Sequence, residues 1–105
     1  MTINGCEYGF YYSVGAHIDY EDFIIKHPEV GQIRANVELA CIMNREYNKA
    51  NGIKGKELRP EDLRKLPNAV LTELMDKVNA QMKLDSEVSV ETKPAKKESA
   101  AGKEN

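Results

Sequence analysis

The chain is 105 residues long, 41% hydrophobic and 30% charged, proportions that suit one small domain with a modest core. Its apolar clusters are short, residues 39–43 being among the longest, which excludes a membrane-spanning helix, and residues 1–12 lack the basic-then-apolar layout of a secretory leader. The net charge is −2, with 11 basic against 13 acidic side chains in residues 1–85 and 4 of each in residues 86–105, so the surplus of Lys and Arg that phosphate-backbone binding requires is missing.

Two cysteines, Cys6 and Cys41, lie far apart without CxxC spacing. In a reducing cytoplasm, the expected compartment, both are read as free thiols packed like small apolar residues.

The first local signal is a hairpin. Asn4-Gly5 lies between Thr2-Ile3 and an alternating run from Cys6 to Tyr12, and both positions of a type I′ turn need φ > 0. Cys6, Tyr8, Phe10 and Tyr12 then share one strand face, with Glu7, Gly9 and Tyr11 on the other. Such a hairpin is marginal alone, so its aromatic face must pack on helices or its edge must pair.

Ser13 suits the N-cap of a first helix reaching about Lys26 and ended by Pro28. Val14, Ile18 and Ile25 form one apolar stripe on it, and Ala16, Tyr20, Phe23 and Ile24 another, a wide apolar surface for so short an element. Pro28 and Gly52 frame a longer helix over about residues 29–50. Val30, Ile33, Val37, Ala40, Cys41 and Tyr47 follow the spacing of a core face, while Ala35, Leu39, Ile42 and Met43 occupy much of the opposite side. A helix apolar on two sides needs two partners: it is central to the domain, or one face meets another protein.

Residues 51–59 read as a loop. Pro60 opens a short helix to Leu66 with acids in its first turn, and Pro67 opens a third main helix to about Asp85, striped by Val70, Leu71, Leu74, Met75, Val78 and Met82. Residues 91–105 hold no large apolar side chain and are expected to be disordered, and residues 86–90 alternate as an extended segment would. The expected fold is therefore mainly α with an N-terminal β-hairpin (α+β): three main helices and one short one over residues 1–85, then a flexible charged tail over residues 86–105.

Chemistry is sparse. His17 and Glu21, four apart on the first helix, lack a third metal ligand and read as a surface pair. His27 sits at a helix end, where capping explains it. Asp19, Glu21 and Asp22 point in different directions around their helix and read as solvated acids. Cys41 lies in an apolar stripe, which argues burial over nucleophilic catalysis. Gly52 and Gly55 flank lysine without the GxxxxGK[ST] order of a phosphate loop. Tyr8, Phe10, Tyr11 and Tyr12 could stack on bases, but alternating aromatics without a basic groove suit a core better. No enzymatic activity, cofactor or metal is expected; binding is.

The run Ile3-Asn4-Gly5, then Tyr8-Gly9-Phe10-Tyr11-Tyr12-Ser13-Val14-Gly15-Ala16, then Asp19-Tyr20-Glu21-Asp22, resembles the opening of tail assembly chaperones of long-tailed phages and prophages of Gram-positive bacteria. Met43-Asn44, Tyr47-Asn48-Lys49-Ala50-Asn51-Gly52, Leu66-Pro67 and Asp85-Ser86-Glu87-Val88-Ser89-Val90-Glu91 are similar too. The resemblance implies a chaperone that coats the tape measure protein in the bacterial host cytoplasm, keeps that helical chain soluble during tail assembly, and is absent from the mature virion. It also implies that a longer, frameshifted form can exist, for which Lys96-Lys97 and Gly102-Lys103 are candidate junctions. Self-association is expected, a membrane partner is not, and nucleic acid belongs only to the alternative reading, a small nucleic-acid-binding regulatory protein. From periodicity, Leu39, Ile42 and Met43, with Tyr11, are the expected partner-binding residues.

Overall fold

A computed structural model describes residues 1–88; residues 89–105 of the expected tail, with its junction sites, lie outside the described residues. The elements in chain order are β1 (Thr2–Ile3), β2 (Cys6–Glu7), α1 (Val14–Lys26), α2 (Gln32–Asn51), α3 (Pro60–Arg64) and α4 (Asn68–Val88). The fold is mostly helical with a two-stranded N-terminal hairpin.

The hairpin forms because Asn4 and Gly5 take φ of 51° and 80°, the left-handed pair a two-residue turn needs. Thr2 faces Glu7 and Ile3 faces Cys6. The N-terminal ammonium continues the pairing, donating to Tyr8 O at 2.9 Å and to the Glu7 carboxylate at 2.6 Å. That hydrogen bond holds the Glu7 carboxyl below its ordinary pKa.

Pairing stops at Tyr8, short of the expected strand to Tyr12. The described chain offers no further strand, so the extended run after Tyr8 satisfies its backbone against helices. Asn44 Nδ2 donates to Gly9 O at 2.9 Å, Tyr11 N–H donates to Met43 O at 3.1 Å, and Tyr12 N–H donates to Asp85 Oδ2 at 2.8 Å. Gly9 is where this run meets α2 most closely: a Cβ there would lie 2.4 Å from the Tyr47 ring. Phe10 points into the core, Tyr8 and Tyr12 are half-buried, and Cys6 is exposed.

Ser13 caps α1 as its sequence suggests, its Oγ accepting from Ala16 N–H at 3.0 Å. His27 closes the helix through its backbone N–H, bonded to Phe23 O and Ile24 O. α2 begins at Gln32 rather than Glu29: Val30 N–H closes a turn on His27 O at 3.0 Å, and Gly31 is the N-cap. It ends as expected, on Gly52 in the left-handed conformation with φ 65°. α4 continues to Val88, so residues 86–88, expected to be extended, are helical and the helix crosses the anticipated boundary at residue 85.

α2 is the centre of the domain, with α1 packed on it and α3 and α4 beside it. Leu39, Ala40, Cys41, Ile42 and Met43 are all buried, and Ile3, Phe10, Ala16, Leu58, Leu74 and Val78 complete the core from the other segments. Of the two arrangements open to a helix apolar on both sides, α2 adopts the first.

Candidate functional site

Burial corrects three of the four expected partner-binding residues. Leu39, Ile42 and Met43 are 5%, 3% and 0% exposed, enclosed by the domain itself and unavailable to a partner in this conformation. Tyr11 is 40% exposed. The apolar surface left open lies elsewhere, mainly on α1.

α1 packs through one of its two stripes. Ala16 is fully buried and Tyr20, Phe23 and Ile24 are half-buried. The other stripe, Val14, Ile18 and Ile25, is 78%, 51% and 68% exposed. These residues recur at helical spacing, so they share the outer side of α1, with Glu21 and Asp22 at the turn between Ile18 and Ile25. Both acids are exposed, with Asp19 further round. The spacing was visible in the sequence; what the sequence lacked was which stripe the domain would cover.

At its N-terminal end the stripe runs into a cleft of about 420 Å³, which Tyr11, Val14 and Ile18 share with Tyr12, His17 and Asp85 of α4. The cleft is braced rather than loose. Asp85 accepts from Tyr12 N–H and, at 3.1 Å, from Gln81 Nε2. Tyr12 Oη and His17 Nδ1 are 2.7 Å apart, a hydrogen bond whose direction follows the histidine tautomer. Burial raises the Tyr12 phenol above its ordinary pKa. Beneath the cleft, Ser13 Oγ donates to Glu46 Oε1 at 2.7 Å, tying α1 to α2.

A second apolar surface lies across α2. Ile33 and Val37 form a groove of about 250 Å³ with Leu63, Leu66, Val70 and Leu71, from α3, the α3–α4 turn and the start of α4. Ile33 is 67% exposed at its mouth. Arg64 lines the groove, whereas Arg34 lines a separate cleft with Phe23, His27 and Val30.

The chemistry-bearing residues stay apart. Among the described residues no group of three or more His, Cys, Asp or Glu is placed to hold a metal. Burial pushes the Cys41 thiol up to about 12, so it stays protonated and unreactive at neutral pH. His27 stacks on Phe23 with ring centroids 4.6 Å apart. The cations around the loop after α2 are partly neutralised: Arg45 lies 3.8 Å from Glu57, and Lys49 3.4 Å from Glu46. No helix among the described residues is long and apolar enough to cross a membrane.

No family model, curated protein or solved structure matches the chain.

Proposed function

We propose that this chain is a non-catalytic chaperone that shields an amphipathic helical client, and that the client is a tape measure protein during phage tail assembly in the host cytoplasm. The client assignment comes from the resemblance of the opening and central segments to phage tail assembly chaperones. One observation supports the binding role: the stripe of Val14, Ile18 and Ile25 stands exposed along a helix whose opposite stripe is packed. Three branched aliphatic side chains on one side of α1 give a client helix a strip to lie against, and the adjacent Glu21 and Asp22 favour client segments with basic edges. Tyr11 extends the strip at one end.

The test is co-expression with the tape measure protein of the same phage or prophage, comparing the wild type with an Ile18→Asp/Ile25→Asp variant. The wild type should hold the client in the soluble fraction and co-purify with it, and the variant should lose both. Equal yields of soluble client with either protein would overturn the reading. Shifted mobility of DNA at low salt, with no effect on the client, would favour a nucleic-acid-binding regulator instead.

A further inference from the structure

We infer that residues 89–97, which continue the chain from the end of α4, fold back on the head of the α1 stripe, with Val90 in the Tyr11–Val14–Ile18 cleft and Lys93, Lys96 and Lys97 against Glu21 and Asp22. The contact lies within one chain and needs no client. Its consequence, that this segment and a client compete for the stripe, rests on the client reading.

Position brings the segment to the cleft. Asp85 and Ser86 of α4 line it together with Val14 and Ile18, and α4 ends at Val88. Val90 therefore follows a residue of the cleft wall by four positions, about 13 Å of chain at full extension. Along α1, Asp22 lies about 6 Å beyond Ile18 at the helical rise, so lysines three to seven positions after Val90 reach the acids with chain to spare. Pro94 cannot continue a helix and disfavours one at Lys93, which turns the chain out of the line of α4 before the last two lysines.

Charge selects the occupant. Residues 89–97 hold three lysines and one acid, Glu91, and Val90 is their branched aliphatic side chain. On α1, Asp19, Glu21 and Asp22 are exposed, and Lys26 in the last turn is the lone lysine. Among the described residues, no hydrogen bond or ion pair engages Glu21 or Asp22. Asp85, by contrast, spends both oxygens on Tyr12 N–H and Gln81, and the cleft's His17 is bonded to Tyr12. Exposed Lys83 and Glu87 on α4 offset each other where the segment departs. An apolar anchor followed by lysines thus meets an apolar cleft followed by free acids, in the same order. A tether this short holds the segment at an effective concentration on the order of millimolar, so a contact too weak to form between separate molecules is populated within one. A client with basic edges then has to displace a segment of its own charge.

Zero-length carbodiimide cross-linking of the full chain reads the contact, because it joins a lysine amine to a carboxylate where the two touch. Mass spectrometry should find Lys93, Lys96 or Lys97 joined to Glu21 or Asp22, in preference to Glu73 and Asp76, exposed acids of α4 that are nearer in sequence. The yield should not change with protein concentration and should fall several-fold when salt screens the charges. In an equal mixture of heavy-isotope and ordinary chains, both linked peptides should come from the same chain. Val90→Asp, which keeps every lysine, should lower the yield several-fold with circular dichroism unchanged. A Lys93→Glu/Lys96→Glu/Lys97→Glu variant removes the amines, and adding Glu21→Lys/Asp22→Lys to it should restore the links with the roles exchanged. Links spread evenly over Glu73 and Asp76, links that join heavy to ordinary peptides, or a charge exchange that restores nothing would each overturn the proposal. With the tape measure protein bound, the yield should drop several-fold, and an unchanged yield in a saturated complex would overturn the competition. Absent cross-links count against this inference alone, whereas a client that never binds counts against the chaperone reading alone.

Discussion

Asn44 is fully buried on α2 and is the side chain on which the non-helical segments converge. Its Nδ2 donates to Gly9 O at 2.9 Å, and its Oδ1 accepts from Leu58 N–H at 2.8 Å and from Asn48 Nδ2 at 3.4 Å. One amide thus satisfies the backbone of the N-terminal extended run and of the loop before α3, and fixes both on α2. Replacing it should cost more than one hydrogen bond, because a buried carbonyl and a buried N–H are left without partners. Asn44→Ala and the bulkier Asn44→Leu should each lower the unfolding free energy by about 3 kcal/mol in urea titrations. An Asn44→Leu protein as stable as the wild type would show that volume, not hydrogen bonding, is what the site requires. Neither periodicity nor a local turn or cap signal marks Asn44 as buried. It stands before Arg45 and Glu46 in a polar run that reads as helix surface, and its role depends on two segments that reach it from positions 9 and 58.

Elements were far more legible than such single contacts, because their ends carry local chemistry. Asn4-Gly5, Ser13 and Gly52 each mark a turn or cap by a backbone requirement that few residues meet, and each does so in the structure. α2 starts later than Pro28-Glu29, which resembles a helix opening, because Gly31 supplies the extended N-cap three residues after Pro28. The second strand was overestimated because alternation shows which side chains share a face without showing whether a partner strand exists. The seating of α1 on α2 yields a prediction at this scale. Glu46 accepts from the Ser13 hydroxyl, which holds its carboxyl below the ordinary value of 4.5, with Lys49 adding to the effect. A carboxyl with a depressed folded-state pKa stabilises the protein above the unfolded value, and that contribution disappears as pH falls through the folded value. Melting temperature should therefore decline below about pH 4.5, partly through this pair. Ser13→Ala should lose about 1 kcal/mol at neutral pH with the cap. It should also show a shallower acid decline, as should Glu46→Gln. Thermal melts from pH 7 to pH 3 decide it: a Ser13→Ala curve running parallel to the wild type would remove Glu46 from the account.

For the molecule as a whole, the burial of Leu39, Ile42 and Met43 has a single cause. Periodicity found two apolar faces on α1 and two on α2 and could not say which the domain would cover. The order of packing decides that: α2 lies between α1 on one flank and α3 with α4 on the other, so the middle of α2 closes on both sides, Ile33 near its start stays exposed, and one face of α1 stays open. An 88-residue described body with an exposed aliphatic stripe on one side and an open groove on the other leaves apolar area in water that a neighbour can cover. If copies associate through that area only when folded, the association adds to apparent stability by mass action. For the wild type, melting temperature should rise with protein concentration, by about 5 °C across a hundredfold range if that range passes through the dissociation constant. The Ile33→Asp variant keeps the core and puts a charge at the mouth of the groove, so it should melt at one temperature throughout if the groove carries the association. Its melting point should match the dilute wild type, since Ile33 is exposed in the single chain and contributes little there. A wild-type melting temperature that is flat across the range, measured where sedimentation shows association, would mean that the copies meet through surfaces the folded state does not need to present.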